Sequence, residues 1–259
     1  MTSSTQRLPD LSGTVALVTG AGGGIGSGIA RQFAAAGAAV VLHYLSSADE
    51  AAALSEELTA AGGRTVTAQA DVTDPEQCHA LVRTAVDHFG RLDALVNNSG
   101  VQPNEPLADM SVEQWRFVVD TNVTGTFLAT QAAVEVMRDG GGGSVTHIAS
   151  IEGSQPAYDH AHYCASKAAV IMHARTAAIE YGPLGVRVNT VSPGLIHRDG
   201  LEDAWPDGVG RWLAAAPLGR LGRSSDVGDA CVFLASTMAA FITGQDLRVD
   251  GGMLARPTW

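Results

Sequence analysis

The residues of this sequence best suited to chemistry are one tyrosine and one lysine. Lys167 is the only lysine in the chain, the other fifteen basic residues being arginine, and it follows Tyr163 by four positions. Residues four apart lie on one face of a helix, so we expect the two side chains to point the same way. An ammonium beside a phenol favours the phenolate, which lowers the tyrosine pKa from about 10. The pair is predicted to exchange a proton near neutral pH, unless the single lysine only reflects a composition rich in arginine.

A glycine-rich segment from Thr19 to Gly26 is the second candidate for a functional site. It follows the apolar run Val15 to Val18 and precedes a helical pattern. Glycines let a backbone approach a pyrophosphate closely, and the first amides of the next helix favour an anion. The spacing is GxxxGxG and no lysine follows, which disfavours a nucleotide triphosphatase. A tight turn without a ligand is the alternative.

The elements that must position these residues alternate along the whole chain. Short apolar runs predict buried parallel strands at 15–18, 39–42, 65–70, 92–96, 144–149 and 186–191. Helical patterns lie between them at 25–36, 48–61, 76–88, 112–137 and about 161–181. Strands separated by helices indicate an α/β fold, a doubly wound Rossmann-like sheet with right-handed crossovers. We expect a single domain over residues 1–259, with a flexible tail at 1–9.

One segment, residues 195–217, breaks the alternation of strands and helices. It contains Trp205 and Trp212 and is long enough for a functional loop with a small helix. Because ligands bind beyond the carboxyl ends of parallel strands, we predict that it is a substrate lid. The two tryptophans either line a flat or cyclic substrate or pack the loop or a subunit contact.

Composition limits the class of partner and the compartment. The net charge of −11 argues against nucleic acid and anionic membranes. No uncharged apolar run reaches the length of a spanning helix. The dispersed cysteines, Cys78, Cys164 and Cys231, indicate neither a disulfide framework nor a zinc site, so we expect a cytoplasmic, metal-free protein.

Read in chain order, the motifs resemble those of the conventional short-chain dehydrogenase/reductase family over residues 10–253. The matching segments are the loop Thr19 to Gly26, Asp71-Val72, Asn97 to Gly100 with serine in place of alanine, Asn122, Ser150, Tyr163 with Lys167, and Pro193-Gly194. The resemblance is to the broad group of 3-oxoacyl-carrier-protein reductases and glucose dehydrogenases. It implies a seven-stranded parallel sheet, hydride transfer with NAD or NADP, and a homotetramer.

The resemblance also implies roles for four catalytic residues. Tyr163 is the general acid in carbonyl reduction or the base in alcohol oxidation, and Lys167 lowers its pKa and holds the nicotinamide ribose. Ser150 donates a hydrogen bond to the substrate oxygen. Asn122 holds a water that relays protons to Lys167. Other residues that flank the expected pocket are Gln102, Glu152, Tyr158, His160 and His162.

Further residues are expected to bind the cofactor. They are Gly20, Gly24, Ile25, Gly26, Tyr44, Ser46, Ser47, Asp71, Val72, Asn98, Gly100, Tyr163, Lys167, Pro193, Gly194 and Ile196. The stretch after the second strand lacks the acid that binds the ribose of NAD, which favours NADP, with Ser46 and Ser47 at its phosphate. The arginine common in NADP enzymes is also missing, so NAD(H) stays an alternative. Arg198 either pairs with the pyrophosphate or a substrate acid, or is solvated.

Three functions follow from these residues. The first is NADPH-dependent reduction of a small-molecule ketone, or the reverse oxidation of a secondary alcohol. The second is an NAD(H)-dependent alcohol or sugar dehydrogenase. The third, from a different class, is a cofactor-binding regulator without catalysis. Tyr163, Ser150 and Lys167 together favour an enzyme, because a regulator has no need of them.

Overall fold

The computed structural model describes residues 9–255, so the predicted tail lies outside the described residues except for its last residue. The described part is built around one sheet of seven parallel strands, in the order β3-β2-β1-β4-β5-β6-β7. The strands are Val15–Val18 (β1), Ala39–Tyr44 (β2), Arg64–Gln69 (β3), Ala94–Asn97 (β4), Gly143–Ile148 (β5), Val186–Pro193 (β6) and Asp246–Val249 (β7). The predicted α/β fold and seven-stranded parallel sheet are confirmed.

Helices cover both faces of the sheet. They are Gly24–Ala35 (α1), Ala48–Ala60 (α2), Pro75–Phe89 (α3), Val112–Val119 (α4), Gly125–Asp139 (α5), Ala161–Tyr181 (α6), Leu201–Ala204 (α7), Pro206–Ala215 (α8) and Ser224–Ala235 (α9). One core packs Leu81, Met137 and Ala174 from α3, α5 and α6 against the sheet. The other core packs Phe33 from α1 and Cys231 from α9 against the sheet. Strand order reverses between β1 and β4, and the crevice there is where such sheets bind ligands.

The predicted single helix over 112–137 is wrong, because a π-helical turn at Asp120–Thr124 separates α4 from α5. The Asn122 side chain pairs with both backbone groups of Val101: its Oδ1 accepts from the N–H at 2.8 Å and its Nδ2 donates to the carbonyl at 3.0 Å. Gly125 lets the next turn approach Val72, since a Cβ there would lie 2.8 Å from Val72 Cγ2. These tertiary contacts widen one helical turn at Asp120–Thr124, although the apolar periodicity of the sequence runs through it without a break.

Helix α9 was not predicted, and it packs closely on α1. A Cβ on Gly28 would lie 2.3 Å from Ser224 Cβ, and one on Gly228 would lie 2.7 Å from Gln32 Cγ. The buried residues Val227, Cys231 and Leu234 carry the helical spacing that would have indicated it. The segment 195–217 contains two short helices, α7 and α8, in place of the expected one.

Candidate active site

The glycine loop joins β1 to α1 at the switch point of the sheet. Gly20 and Gly24 have φ of 62° and 53°, which is left-handed backbone that favours glycine. A Cβ on Gly26 would lie 2.1 Å from the Gly20 carbonyl oxygen, whereas one on Gly23 or Gly24 would meet no atom within 4 Å. No side chain caps the N-terminus of α1. The loop therefore presents open space and helix amides, the arrangement that accepts a pyrophosphate.

Side chains from three strands hold this loop in place. Thr19 Oγ1 accepts from the backbone N–H groups of Asn98 and Ser99, both at 2.9 Å. Asn98 Nδ2 donates to the carbonyls of Thr19 and Gly20 at 2.9 and 3.1 Å. His43, which is buried, accepts the Gly20 N–H at Nδ1 and donates from Nε2 to the Ala70 carbonyl, both at 3.0 Å. The ring thus joins the ends of β1, β2 and β3, a role that sequence analysis missed.

Tyr163, Lys167 and Ser150 lie together past the end of β5. Tyr163 and Lys167 share one face of α6, as predicted, and Lys167 Nζ lies 5.5 Å from the centre of the Tyr163 ring. The Nζ donates to the Ile148 carbonyl at 2.7 Å, and the lysine is only 5% exposed. Ser150 is also buried, and its Oγ accepts from the Glu152 N–H at 3.1 Å. A phenol, a hydroxyl and an ammonium therefore converge at the carboxyl end of the sheet.

Asn122 occupies the π-helical turn beside this group. Its Nδ2 also donates to Ser166 Oγ at 3.0 Å, and that hydroxyl donates to the Tyr163 carbonyl at 2.7 Å. A Cβ on Gly100 would lie 3.1 Å from Asn122 Oδ1 and 3.6 Å from Lys167 Nζ. The asparagine side chain is bonded to protein groups, so it links the connection after β4 to the helix that carries Tyr163. Ser166 is a second residue that sequence analysis missed.

The residues predicted near the adenosine end of the cofactor flank the glycine loop. Tyr44 is the last residue of β2, and Ser46 is exposed beyond it. Ser47 lies against the loop, since a Cβ on Gly22 would lie 2.4 Å from its Oγ. Asp71 follows β3, where its Oδ1 accepts from the Thr73 backbone and hydroxyl at 2.9 and 2.7 Å. The buried Val72 comes next.

At the other end of the site, Pro193 ends β6 and the Gly194 N–H donates to the Val249 carbonyl at 3.0 Å. Trp212 packs on Gly194, because an added Cβ would lie 2.5 Å from its ring. Ile196 bridges to Gly222. A cavity of about 420 Å³ borders Gly194 and Trp212 on the side of Arg248 to Gly252, and none of the four expected catalytic residues lines it.

Comparison with known proteins identifies the family. A family model described as enoyl-(acyl carrier protein) reductase matches residues 20–254. A 3-oxoacyl-(acyl-carrier-protein) reductase of Synechocystis is 40% identical, over 94% of this chain and 98% of that protein. The chain belongs to the short-chain dehydrogenase/reductase family. It is accordingly an NAD(P)-dependent oxidoreductase that acts on carbonyl or alcohol groups.

Two solved structures show the same architecture as this short-chain dehydrogenase/reductase. A Sinorhizobium meliloti protein described as a short-chain alcohol dehydrogenase superposes with a TM-score of 0.92 and 36% identity, over 97% of this chain and 100% of that one. A 7α-hydroxysteroid dehydrogenase complexed with NADH and 7-oxo glycochenodeoxycholic acid gives 0.89 and 34%, over 94% and 95%. Both structures share more sequence identity with this chain than proteins that have only the fold in common.

Electrostatics at this dehydrogenase/reductase site differ from the expectation in one respect. Burial raises the pKa of Tyr163, and the hydrogen bond with Ser150 only partly offsets it. Burial also lowers the pKa of Lys167 to about 8. The net shift of the tyrosine pKa is therefore opposite to the expected lowering, because the loss of hydration is its largest cause. Tyr163 keeps its proton at neutral pH.

Within residues 9–255 no group of three or more histidine, cysteine or acidic side chains is arranged to hold a metal ion. Over the same part of the chain, no helix has the length and apolar character needed to cross a membrane. The glycine loop, with the open space over Gly23 and Gly24, fits the dinucleotide that the family uses.

Proposed function

We propose that this enzyme reduces a small-molecule ketone to a secondary alcohol with NADPH, and that Tyr163 is the general acid. The observation that carries the proposal is the convergence of Tyr163, Ser150 and Lys167 at the carboxyl edge of the sheet, beside the glycine loop. A tyrosine that keeps its proton suits a residue that must give a proton to a developing alkoxide.

The residues divide the work of reduction among them. When bound, the nicotinamide supplies the hydride. Ser150 Oγ donates a hydrogen bond to the substrate oxygen and stabilises the charge that develops there, while Tyr163 Oη transfers its proton to that oxygen. Lys167 holds the cofactor ribose and supports the tyrosinate left behind. Asn122 keeps the connection after β4 and helix α6 in register, and we propose that the π-helical turn around it admits the water that returns a proton through Lys167.

The remaining cofactor contacts are proposed from position. Gly20, Gly24, Ile25 and Gly26 receive the pyrophosphate. Tyr44, Ser46, Ser47, Asp71 and Val72 surround the adenosine, and Asn98, Gly100, Pro193, Gly194 and Ile196 the nicotinamide half. Segment 195–217 would close over the substrate, and Arg198, which is exposed, would pair with the pyrophosphate.

Cofactor preference gives a direct test at the end of β2. We expect purified protein to bind NADPH more tightly than NADH by about tenfold or more, because no carboxylate stands where it would repel the extra phosphate. Tyr44→Asp places a carboxylate on the last residue of the strand, and we expect it to move the preference toward NADH by at least about tenfold. Fluorescence titration of both cofactors measures both quantities.

Tyr44→Asn is the matched control, since it changes the size of the side chain without adding charge. It should leave the ratio of the two dissociation constants near that of the wild type. A wild-type preference for NADH would contradict the proposal and favour the alternative, NAD(H)-dependent oxidation of an alcohol or sugar. The steroid dehydrogenase neighbour was solved with NADH, which is the observation that favours this second candidate.

The relatives suggest ketones of two sizes as substrates. One relative acts, by its name, on a 3-oxoacyl group on a carrier protein, and one structural neighbour holds a 7-oxo steroid acid. Docking of an acidic carrier needs free basic side chains near the site. Arg220 donates to both Asp226 carboxylate oxygens at 2.6 and 2.9 Å, so its charge is neutralised within the chain. This pairing supports a small free ketone.

We also propose a homotetramer in a cytoplasmic, reducing compartment. Helices α4, α5 and α6 leave large apolar side chains exposed, among them Phe117, Phe127, Met172 and Ile179. Patches of this kind mark protein contacts. The three cysteines are free, as suits a reducing compartment. A mass of one chain by light scattering would contradict the proposed assembly.

A further inference from the structure

A group of four polar side chains borders the catalytic residues, and the mechanism above does not use it. We call Gln102, Asn104, Glu152 and His160 the Glu152 cluster. His160 Nδ1 lies 2.9 Å from Glu152 Oε2, and its Nε2 lies 2.5 Å from Asn104 Oδ1. Gln102 Nε2 approaches Glu152 Oε1 at 3.4 Å. The cluster therefore joins the connection after β4, the turn after β5 and the residue that precedes α6.

The cluster lies directly beside the reacting groups. Glu152 comes two residues after Ser150, and its N–H donates to the Ser150 hydroxyl. The centre of the His160 ring is 5.9 Å from that of Tyr163. The charge of Glu152 is one of the causes that raise the pKa of Tyr163, so the carboxylate acts at the same place as the phenol. We therefore expect the atoms next to a carbonyl bound by Ser150 and Tyr163 to lie near this carboxylate.

The backbone around the cluster is fixed rather than loose. Asp159, just before His160, has a φ of 59°, the one non-glycine residue with positive φ in the described chain. Its carbonyl accepts the Glu105 N–H at 2.8 Å, which ties the two connections together. The His160 and Glu152 side chains are 16% and 21% exposed, and each of the other ion pairs of the described residues includes at least one side chain that is 40% exposed or more. Removing such a pair from water lowers the stability of the fold unless further hydrogen-bond partners reach it.

The hydrogen bonds of Glu152 leave room for such a partner. Oε2 contacts His160 and the Cys164 thiol, whereas from the described residues Oε1 receives only the contact from Gln102, whose length makes it a weak hydrogen bond. A carboxylate oxygen accepts about two hydrogen bonds, so Oε1 has capacity left. An acyl chain beside it would bury the charge without compensation. A hydroxyl would donate to Oε1 and accept from Gln102.

From this geometry we infer that the enzyme selects ketones that carry a hydroxyl group close to the carbonyl, and that Glu152, oriented by His160, binds this hydroxyl. The inference names the substrate class of the proposed active site, so it depends on the proposed ketone reduction. It favours hydroxyketones, and vicinal diols in the reverse direction, over simple ketones and fatty acyl groups.

Matched pairs of ketones test the inference. Acetoin with butanone, hydroxyacetone with acetone, and benzoin with deoxybenzoin each differ by the one hydroxyl group. With NADPH and with NADH, we expect the wild type to favour the hydroxyketone of a pair in kcat/KM by at least about tenfold. Glu152→Gln should bring that ratio toward one, mainly through KM. His160→Asn should reduce it as well, and it serves if the first variant folds poorly by circular dichroism.

The ratio of kcat/KM for the hydroxyketone to that for the simple ketone separates recognition of the hydroxyl from a structural role. General damage to the site lowers both values of kcat/KM and leaves their ratio unchanged. Asp109→Asn, which removes an exposed carboxylate from the same connection after β4, is the control and should keep the wild-type ratio. Equal rates on both members of every pair, or a wild-type ratio in Glu152→Gln, would overturn the inference while the proposed function stood. If no ketone is reduced with either cofactor, the proposed function fails and the inference falls with it.

Discussion

Tyr163→Phe should lower turnover by about 10³-fold, the contribution expected of a positioned general acid. The change removes one oxygen and keeps the ring, so the packing beside His160 and Lys167 is retained. The proton that Tyr163 would give to the alkoxide is lost with this oxygen, and Ser150 could replace it only by giving up its own hydrogen bond to the substrate. Steady-state reduction rates with NADPH, and single-turnover rates with saturating enzyme, measure the loss.

Cofactor binding distinguishes this result from a general failure of the site. NADPH affinity should change less than about threefold, because the proposed contacts of the dinucleotide come mainly from the glycine loop and the strand ends. Tyr181→Phe, at the other end of the same helix, is the matched control and should keep full activity. Turnover that persists in Tyr163→Phe would refute the proposed mechanism. If the wild type binds a cofactor but turns over no carbonyl or alcohol, the protein is the non-catalytic regulator considered from the sequence.

The sequence was sufficient for the order of the elements from β1 to β6, because these strands and the helices between them carry local signals. The run Val15–Val18 is apolar on both sides, as a central parallel strand must be, and α6 begins and ends at the predicted residues. The four-residue spacing of Tyr163 and Lys167 is likewise a local fact of the helix. Prediction from pattern succeeded for these elements because the cause of each lies within a few residues of it, and the local spacing of α9 would have indicated that helix too.

Features caused by contacts between distant segments could not be read in this way. The π-helical turn exists because Asn122 pairs with Val101, twenty-one positions earlier in the chain. The bracing role of His43 depends on Gly20 and Ala70, which follow two other strands. The net direction of the Tyr163 pKa depends on burial, which a sequence does not state. Even so, a histidine inside an otherwise apolar strand next to the switch point was a signal that could have been used.

Lys167→Arg and Lys167→Met should both lower kcat/KM by more than about 10²-fold, although the first keeps the positive charge and the second removes it. Lys167 is buried, and its Nζ donates to the Ile148 carbonyl close to Gly100. A guanidinium is larger and planar, and it brings five N–H donors to a place where the described residues offer the lysine one acceptor. It must either leave polar groups unpaired or move α6, which carries Tyr163.

The two variants should differ in stability, and that difference tests the physical reason. The Lys167 pKa is about 8 in the fold against 10.5 for a free side chain, because burial removes the ammonium from water. A folded-state value below the unfolded one means that the charge destabilises the fold below pH 8, by about 3 kcal/mol, and that this cost fades as the pH rises toward 10.5. Lys167→Met removes this cost but leaves the buried Ile148 carbonyl without its donor, at about 1–3 kcal/mol, so the stability of this variant relative to the wild type should be higher at pH 7 than at pH 10.

Because the chain contains one lysine, the titration can be observed without assignment. Labelled lysine gives a single side-chain NMR signal, whose midpoint in the cofactor-free protein should lie near pH 8. A midpoint above pH 10, or a Met variant whose stability relative to the wild type does not change with pH, would show that the ammonium is better solvated than its burial implies. An inactive Met variant whose stability relative to the wild type rises as the pH falls from 10 to 7 would instead show that the fold keeps a costly buried charge where the reaction needs an ammonium.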